Sequence, residues 1–240
     1  MSLLSVVKDV CAGVGILIPT SVFSNVNNIR TMQEMLSLAN EMAQRIAYNT
    51  REWTLLKEIN VITGDGTTPS FSMPADYQRM LVSANIWRST SAIHPMRFIP
   101  DTDDWIQRRA LKRINAWGEW TIMGGKIYFW PVLAAGVTAT FAYLNKNCIT
   151  LASGGAGTIF QSDQDSFALE ERLLKLGMIW QWKASKGGAY AEDMGTWSDA
   201  LNVAEGADQP APILINRAPI SALSTTANIA YPFPAPYPYP

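Results

Sequence analysis

Residues 163–188 read DQDSFALEERLLKLGMIWQWKASKGG and decide the fold, because they predict one helix that is apolar on two opposite sides. At about 100° per residue, the apolar residues fall into two stripes about 155° apart. The stripes are Leu169, Leu173, Leu176, Trp180 and Ala184, and Phe167, Leu174, Met178 and Trp182. A helix that is apolar on two sides is buried on two sides. We therefore expect it to pack on the chain's other helices and on a further layer or a second copy.

Charges and glycines predict where this helix begins and ends. Its start carries Asp163, Asp165, Glu170 and Glu171, and its end carries Lys183 and Lys186. Acidic residues at the start and basic residues at the end are favourable for the helix dipole. Gly187 and Gly188 then predict that the helix ends there, with a glycine in the left-handed backbone conformation.

Composition indicates a globular protein that is poor in charge. The chain has 240 residues, of which 48% are apolar, 10% aromatic and 16% charged, where about a quarter charged is ordinary. It is long enough for one large or two small domains. The formal net charge of −1 argues against a chain that gathers nucleic acid or an anionic membrane by its overall field. Low charge with nine Trp leads us to expect that an assembly hides much of the surface.

The cysteines and the N-terminal segment predict an unexported protein of a reducing compartment. Cys11 and Cys148 are too few and too distant for a disulfide framework, so we expect buried free thiols. The apolar N-terminus contains Lys8 and Asp9 and has no basic region before them, so a signal peptide is not expected. The uncharged run 10–29 contains Pro19 and three asparagines, so we expect no membrane span.

Helical spacing predicts four further helices. Apolar periodicity predicts helices over 2–14, from 29 to about 49, over 104–114, and from 190 to 206. We expect residues 163–188 to join the first two and the last of these.

Between the helices, the period of the sequence changes to that of strands. Residues 58–146 alternate or are rich in β-branched and aromatic residues. Two such runs around Gly124 and Gly125 predict a hairpin. We expect 137–143 to be the next antiparallel strand beside it, and 151–160 to be a flexible connector.

These elements predict an α+β fold, a discontinuous helical bundle from N- and C-terminal segments with an inserted antiparallel β domain and an extended C-terminal arm. The predicted divisions are 1–57 and 161–205 for the two parts of the helical domain, 58–160 for the β domain and connector, and 206–240 for the arm.

The arm carries only Asp208 and Arg217 as charges, but eight of the chain's fourteen prolines. Its end, 231–240, alternates rings with proline, which favours extended or polyproline II backbone. Burying four aromatic side chains is worth on the order of 15–25 kcal/mol, against about 10–20 kcal/mol to order ten residues. Docking therefore needs a ready-made groove on a neighbouring subunit or partner. We predict as interface anchors Ile213, Leu214, Ile215, Tyr231, Phe233, Tyr237 and Tyr239.

Residues that could carry chemistry form no catalytic, cofactor or metal pattern. His94 is the only histidine and has no nucleophile motif near it. Asp101–Asp104 resembles the start of a calcium loop, but Ile106 and Lys112 occupy the glycine and glutamate positions. Asp163 and Asp165 are interpreted as helix N-terminal acids. We therefore expect no enzyme and no cofactor.

One basic cluster stands on the short helix 104–114. It contains Arg108, Arg109, Lys112 and Arg113. The default interpretation is a solvated face, and the alternatives are contact with an acidic neighbouring subunit or with passing DNA.

The order of these motifs resembles the head-to-tail adaptor proteins of tailed double-stranded DNA phages. The resemblance covers about residues 25–205. It rests on a Trp-x-x-Leu step, an aromatic-x-x-Pro-x-Asp-Tyr step, an aromatic-Trp-Pro at the hairpin, an Asp-x-Asp lead and a Leu-Leu-x-x-Gly-x-x-Trp helix. Their residues here are Trp53 and Leu56; Phe71, Pro74, Asp76 and Tyr77; Phe129, Trp130 and Pro131; Asp163 and Asp165; and Leu173, Leu174, Gly177 and Trp180.

The resemblance implies a structural virion protein at the head-tail junction, assembled in the host cytoplasm. It implies a homo-oligomeric ring, commonly of twelve copies, that binds the portal protein above and a tail tube or nozzle protein below. It also implies a lining for the DNA exit channel, with transient, non-specific DNA contact during ejection and no membrane partner.

Three alternatives remain open from the sequence. Another virion ring, such as a tail nozzle or head-completion protein, has similar requirements. A virion-associated cell-wall hydrolase would use a pair of carboxylates. A host-interaction protein would present the proline-rich arm to an aromatic groove while the body stays monomeric.

Overall fold

The structure is a computed structural model that describes residues 2–24, 29–91 and 93–208. This part of the chain contains five α-helices, namely α1 (Leu3–Val14), α2 (Ile29–Gln44), α3 (Thr102–Ala110), α4 (Glu171–Ser185) and α5 (Ala191–Ala207). The longer strands are β1 (Lys57–Thr63), β2 (Ser70–Ser72), β3 (Tyr77–Met80), β6 (Glu119–Met123), β7 (Lys126–Trp130) and β8 (Thr138–Asn145). The two-residue strands are β4 (Trp87–Arg88), β5 (Arg97–Phe98), β9 (Ile149–Thr150), β10 (Ala156–Gly157) and β11 (Ser166–Phe167). The predicted α+β class is confirmed.

Helix α4 is the centre of a helical core and packs against α1, α2 and α5. Leu173, Leu174 and Met178 are fully or almost fully buried in this core. On another side, the ring of Trp180 lies 5.9 Å from that of Trp197 in α5. The prediction of a helix covered on two sides is therefore confirmed for the residues that are helical. The predicted stop is also confirmed, because Gly187 has a left-handed φ of 72°.

The predicted start of this helix is wrong, because α4 begins at Glu171 rather than at residue 163. Residues 163–165 instead cap α1. The N–H of Leu3 donates to the carbonyl of Asp165 at 2.7 Å, and that of Leu4 donates to the carbonyl of Asp163 at 3.1 Å. Free N–H groups at a helix start need such acceptors. Phe167, expected on the helix, lies in strand β11.

Helix α2 continues directly into a π-helical turn, Arg45–Thr50, so the predicted second helix ends close to where it was expected. The indole N–H of Trp53 donates to the carbonyl of Ile46 at 2.7 Å. This hydrogen bond holds the segment after the helix against the π-helical turn. The chain then enters β1 four residues later.

Two four-stranded sheets pack face to face in the β region. One contains β1, β8 and β3 in that order, with β4 also paired to β8, and the other contains β2, β7, β6 and β5. The predicted hairpin is confirmed, since Met123 pairs with Lys126 across Gly124 and Gly125, whose φ angles are 57° and 72°. The side chains buried between the sheets are Ile62, Ile86, Met96, Trp120, Ile127, Phe129, Leu133, Ala139, Phe141 and Tyr143.

Strand β8 does not lie beside the hairpin, so that predicted pairing is wrong. It pairs instead with β1 over seven consecutive residues, and with β3 and β4 on its other side. This position lets Ala139 and Phe141 face Ile127 and Phe129 of the opposing sheet and share one buried core. Burial on the inner faces of two sheets is what stabilises such a sandwich.

The segment 151–160, expected to be a flexible connector, is folded onto the helices. It contains β10, which pairs with β9, and β11 pairs with the other edge of β9. Phe160 is buried in the helical core, and its N–H donates to the Asn40 carboxamide oxygen at 2.9 Å. The domain boundaries given above stay a prediction. No helix in the described residues is long and apolar enough to cross a membrane.

Candidate assembly surfaces

The motif residues that carry the phage-adaptor resemblance hold elements of the fold together. The Asp76 carboxylate accepts hydrogen bonds from the Tyr143 hydroxyl and from the Asn145 amide, both at 3.0 Å. The ring of Tyr77 lies 5.8 Å from that of Tyr143. Gly177 lies where α4 meets Met42 of α2. Each of these residues therefore has a packing or hydrogen-bonding role.

Asp163 and Asp165 are loop residues, so their interpretation as helix N-terminal acids is wrong. Asp165 is 1% exposed, and its carboxylate accepts backbone N–H groups from Ala152, Gln161 and Ser162. Burial raises the pKa of Asp165, but these three donors outweigh it and hold the pKa below its usual value. Asp163 accepts from the Ser21 hydroxyl and the Val22 N–H.

Two carboxylates of the β region, Glu58 and Asp76, share hydrogen-bond donors. The Asn145 amide donates to both carboxylates, at 2.7 and 3.0 Å, and the single hydroxyl proton of Tyr143 is shared between them, at 3.0 and 3.1 Å. Burial and the two neighbouring carboxylates raise the pKa of Tyr143, so its hydroxyl stays protonated and remains a donor. These hydrogen bonds join β1, β8 and the turn before β3. The two carboxylates therefore have a structural role.

The other chemical candidates have structural surroundings as well. His94 is exposed and its ring lies 4.3 Å from that of Trp117. Cys11 and Cys148 are buried free thiols, as predicted, and burial raises both pKa values. Within the described residues, no group of three His, Cys, Asp or Glu is placed to hold a metal ion.

The basic cluster separates into one paired arginine and three free cations. Arg108 binds Asp104 at 2.8 Å and Glu119 at 3.0 Å, and Glu119 is only 2% exposed. Arg109, Lys112 and Arg113 are exposed and form no ion pair with any described residue. The guanidinium of Arg109 lies 5.5 Å from the centre of the Trp130 ring. Three of the four predicted cations are therefore available to a partner.

Beside these cations lies a groove of about 640 Å³ between α3 and the β6–β7 hairpin. Its lining is mainly apolar, with two cations, and consists of Trp105, Ile106, Arg109, Ala110, Lys112, Ile114, Met123 and Trp130. Ile106 and Ile114 are exposed there. We call this the α3 groove.

A second open surface lies along strand β1. Among the described residues β1 pairs only with β8, so its other edge is open. Ile59 is 72% exposed and Val61 55%, and they point away from the inner residue Ile62. A cavity of about 470 Å³ continues from Ile59 to Val82 and Trp87. We call Ile59, Val61, Val82 and Trp87 the β1 surface.

A third surface is the side of α5 that faces away from α4. The inner side of α5 buries Ala200 and Ala204. At about 100° per residue, one exposed sector runs from the side opposite these alanines round to the flank beside Ala200, and it contains Glu192, Gly195, Thr196, Asp199, Asn202, Val203 and Gly206. We call these seven residues the α5 outer face.

Sequence reasoning identified the basic cluster, but it wrongly placed all four cations on one helix, since α3 ends at Ala110 and Lys112 and Arg113 follow it. It missed the other two surfaces. Alternation in β1 indicates a strand, but only the sheet order shows that β1 is an edge with its apolar side exposed. The predicted interface anchors lie outside the described residues, namely Ile213, Leu214, Ile215, Tyr231, Phe233, Tyr237 and Tyr239.

Comparison with known proteins agrees with the arrangement of motifs. The sequence model of the SU10 adaptor protein family matches residues 8–213. No curated protein matches the chain. The match covers the whole described fold except the first residues of α1. The chain therefore belongs to the SU10 adaptor protein family, a family of phage head-to-tail adaptors, and is an adaptor component of a phage virion.

Proposed function

We propose that this protein forms a homo-oligomeric ring below the portal, connects the portal to the tail and lines the DNA exit channel, without catalysis. Membership of the adaptor family supports the placement in the head-tail junction. The phage-adaptor resemblance implies about twelve copies, a portal partner above and a tail tube or nozzle partner below. Assembly takes place in the host cytoplasm.

The observation that carries the proposal is the exposed β1 surface. An open edge strand of seven residues presents unpaired backbone groups, and here its outer side is also apolar. Edges of this kind bind other chains unless they are covered. The β1 surface is therefore more favourable in contact with a neighbouring virion subunit than in contact with water. Its apolar residues include Ile59, Val82 and the partly exposed Trp87.

Two further parts of the chain contribute to assembly in this proposal. The interface anchors predicted in the arm lie on a neighbouring subunit or on a partner protein. The free cations Arg109, Lys112 and Arg113 face another subunit or the passing DNA. Arg108 takes no part, because Asp104 and Glu119 already bind it.

The test is a double substitution on the β1 surface, Ile59→Lys with Val61→Lys. Both side chains are exposed, so the fold should be retained and the melting temperature should change little. Binding to the portal protein of the same phage, measured by light scattering on a sizing column, should be lost. Ile159→Lys with Leu17→Lys is the matched control, because it also adds two lysines at exposed apolar residues outside this surface.

Wild-type assembly by the double variant would contradict a role for the β1 surface. The arm is tested separately with a chain that ends at Gly206. Equal portal affinity for this shortened chain would show that the arm anchors do not contribute.

A further inference from the structure

The α3 groove and the α5 outer face are opposite in charge, and both are open. We propose that the α5 outer face of one copy docks in the α3 groove of the next copy. This inference rests on the proposed ring and names the contact that builds it. The occupant of the groove is thus a second copy of this chain.

The groove has the chemistry of a protein site rather than of a DNA-facing wall. Its cations, Arg109 and Lys112, stand beside the exposed apolar side chains of Ile106 and Ile114. A sliding DNA backbone would use the cations but leave the apolar lining exposed to water. A helix with acidic and small residues can satisfy both parts of the groove at once.

Helix α5 has this composition. It contains Glu192, Asp193, Asp199 and Glu205 and no Lys or Arg. Asp193 is paired within the chain, with Lys183 at 2.6 Å. Glu192 and Asp199 are exposed on the outer face and form no ion pair with any described residue. Two acids on this face are therefore matched by two unpaired cations at the groove.

The glycines of α5 are a second, independent observation. Among the described residues, no atom of another element lies within 4 Å of a Cβ placed at Gly195 or Gly206, and neither residue has a positive φ. Nothing in residues 2–24, 29–91 and 93–208 therefore requires glycine at these helical positions, where alanine would favour the helix more. Glycine does allow another chain to approach the helix backbone closely.

The positions of the two surfaces suit a ring. Helix α5 packs in the helical core through Ala200 and Ala204, whereas the groove is formed by α3 and the β6–β7 hairpin. The two surfaces differ, so the contact is heterologous. Heterologous contacts between identical copies close into rings when the rotation allows it.

The test is a charge exchange in the full chain, read as ring mass by light scattering. Arg109→Glu with Lys112→Glu should weaken assembly by about tenfold or more, and so should Glu192→Lys with Asp199→Lys. A chain that carries all four substitutions should assemble again. Its groove is then acidic and its α5 outer face basic, so the two surfaces again attract each other. Arg30→Glu with Arg97→Glu is the control for the groove variant, since it also reverses two cations, and both are exposed residues outside both surfaces.

Normal rings from both double variants would overturn the docking contact while leaving the ring proposal intact. Loss of DNA binding with normal rings, after Arg109→Glu with Lys112→Glu, would assign the groove to DNA and also overturn it. If the wild-type chain forms no ring alone or on the portal, the proposed function fails, and this contact fails with it.

A second variant separates assembly from folding. In the described part of the subunit, Gly195 faces open space, so Gly195→Leu should not lower the melting temperature. In the ring, the added side chain would stand between α5 and the groove, and assembly should drop by about tenfold or more. Wild-type assembly by Gly195→Leu would contradict close approach at this helix.

Discussion

Gly177 of α4 lies directly against Met42 of α2, so closely that a Cβ on Gly177 would be 2.6 Å from the Cγ and Sδ atoms of Met42. Met42 is fully buried and surrounded by the helical core, so its side chain has little room to move. The glycine in the Leu-Leu-x-x-Gly-x-x-Trp motif therefore sets how closely the two helices approach.

Gly177→Ala and Gly195→Ala should change stability in opposite directions. The first inserts a methyl group into a filled contact and should destabilise by about 1–3 kcal/mol. The second adds a methyl group to open space in a helix and should stabilise by about 0.5–1 kcal/mol. Thermal unfolding of both variants measures the difference, and a stabilised Gly177→Ala protein would contradict the close contact.

Asp165→Asn should destabilise by about 1–3 kcal/mol, because an amide replaces a buried carboxylate that accepts three backbone N–H groups. The pKa of Asp165 is lowered in the folded state, so its contribution is present above the unfolded pKa and is lost as pH falls through the folded pKa. Between neutral pH and acid, the stability of the wild type should fall more than that of the variant. Asp199→Asn, at an exposed residue, is the control, and parallel pH profiles would contradict this role.

Arg108 and Arg109 are neighbours in sequence but should respond differently to substitution. Arg108→Ala leaves the buried Glu119 carboxylate without its cation and should lower the melting temperature by several degrees. Arg109→Ala removes an exposed side chain whose guanidinium only lies over the Trp130 ring, so the melting temperature should fall much less. Arg108→Leu combined with Glu119→Leu should restore most of the melting temperature, because no buried carboxylate is then left unpaired. A melting temperature as low as that of Arg108→Ala would contradict this explanation.

Cys11 and Cys148 should resist thiol reagents in the folded protein. Both are fully buried, and burial raises their pKa values, so little thiolate is present at pH 8. Labelling should be negligible in native buffer and reach both thiols after unfolding. Labelling of the native protein at the rate of a free thiol would contradict the packing of α1 and of the segment before β9.

The sequence predicted those parts of the fold that depend on local patterns. Helices α1, α2, α4 and α5 follow from apolar spacing, and the β6–β7 hairpin follows from Gly124 and Gly125. The predictions that were wrong concern residues whose contact partners are distant in sequence. Asp165 looks like a helix start, but hydrogen bonds from Ala152 and Gln161 hold it in a loop.

Long-range pairing also explains the missed surfaces. Strand β8 has the composition of a hairpin neighbour, yet the shared core with Phe129 places it in the opposite sheet and leaves β1 at an open edge. The exposure of Ile59 follows only from that arrangement. The basic cluster was visible in the sequence, but its division into Arg108 and three free cations depends on Glu119 of a separate strand.

The adaptor ring is tested most directly by the mass of the purified full chain mixed with the portal protein of the same phage, measured by light scattering on a sizing column. We expect a single complex with about one copy of this protein per portal subunit. Separate elution of the two proteins at all concentrations would contradict the proposed adaptor ring.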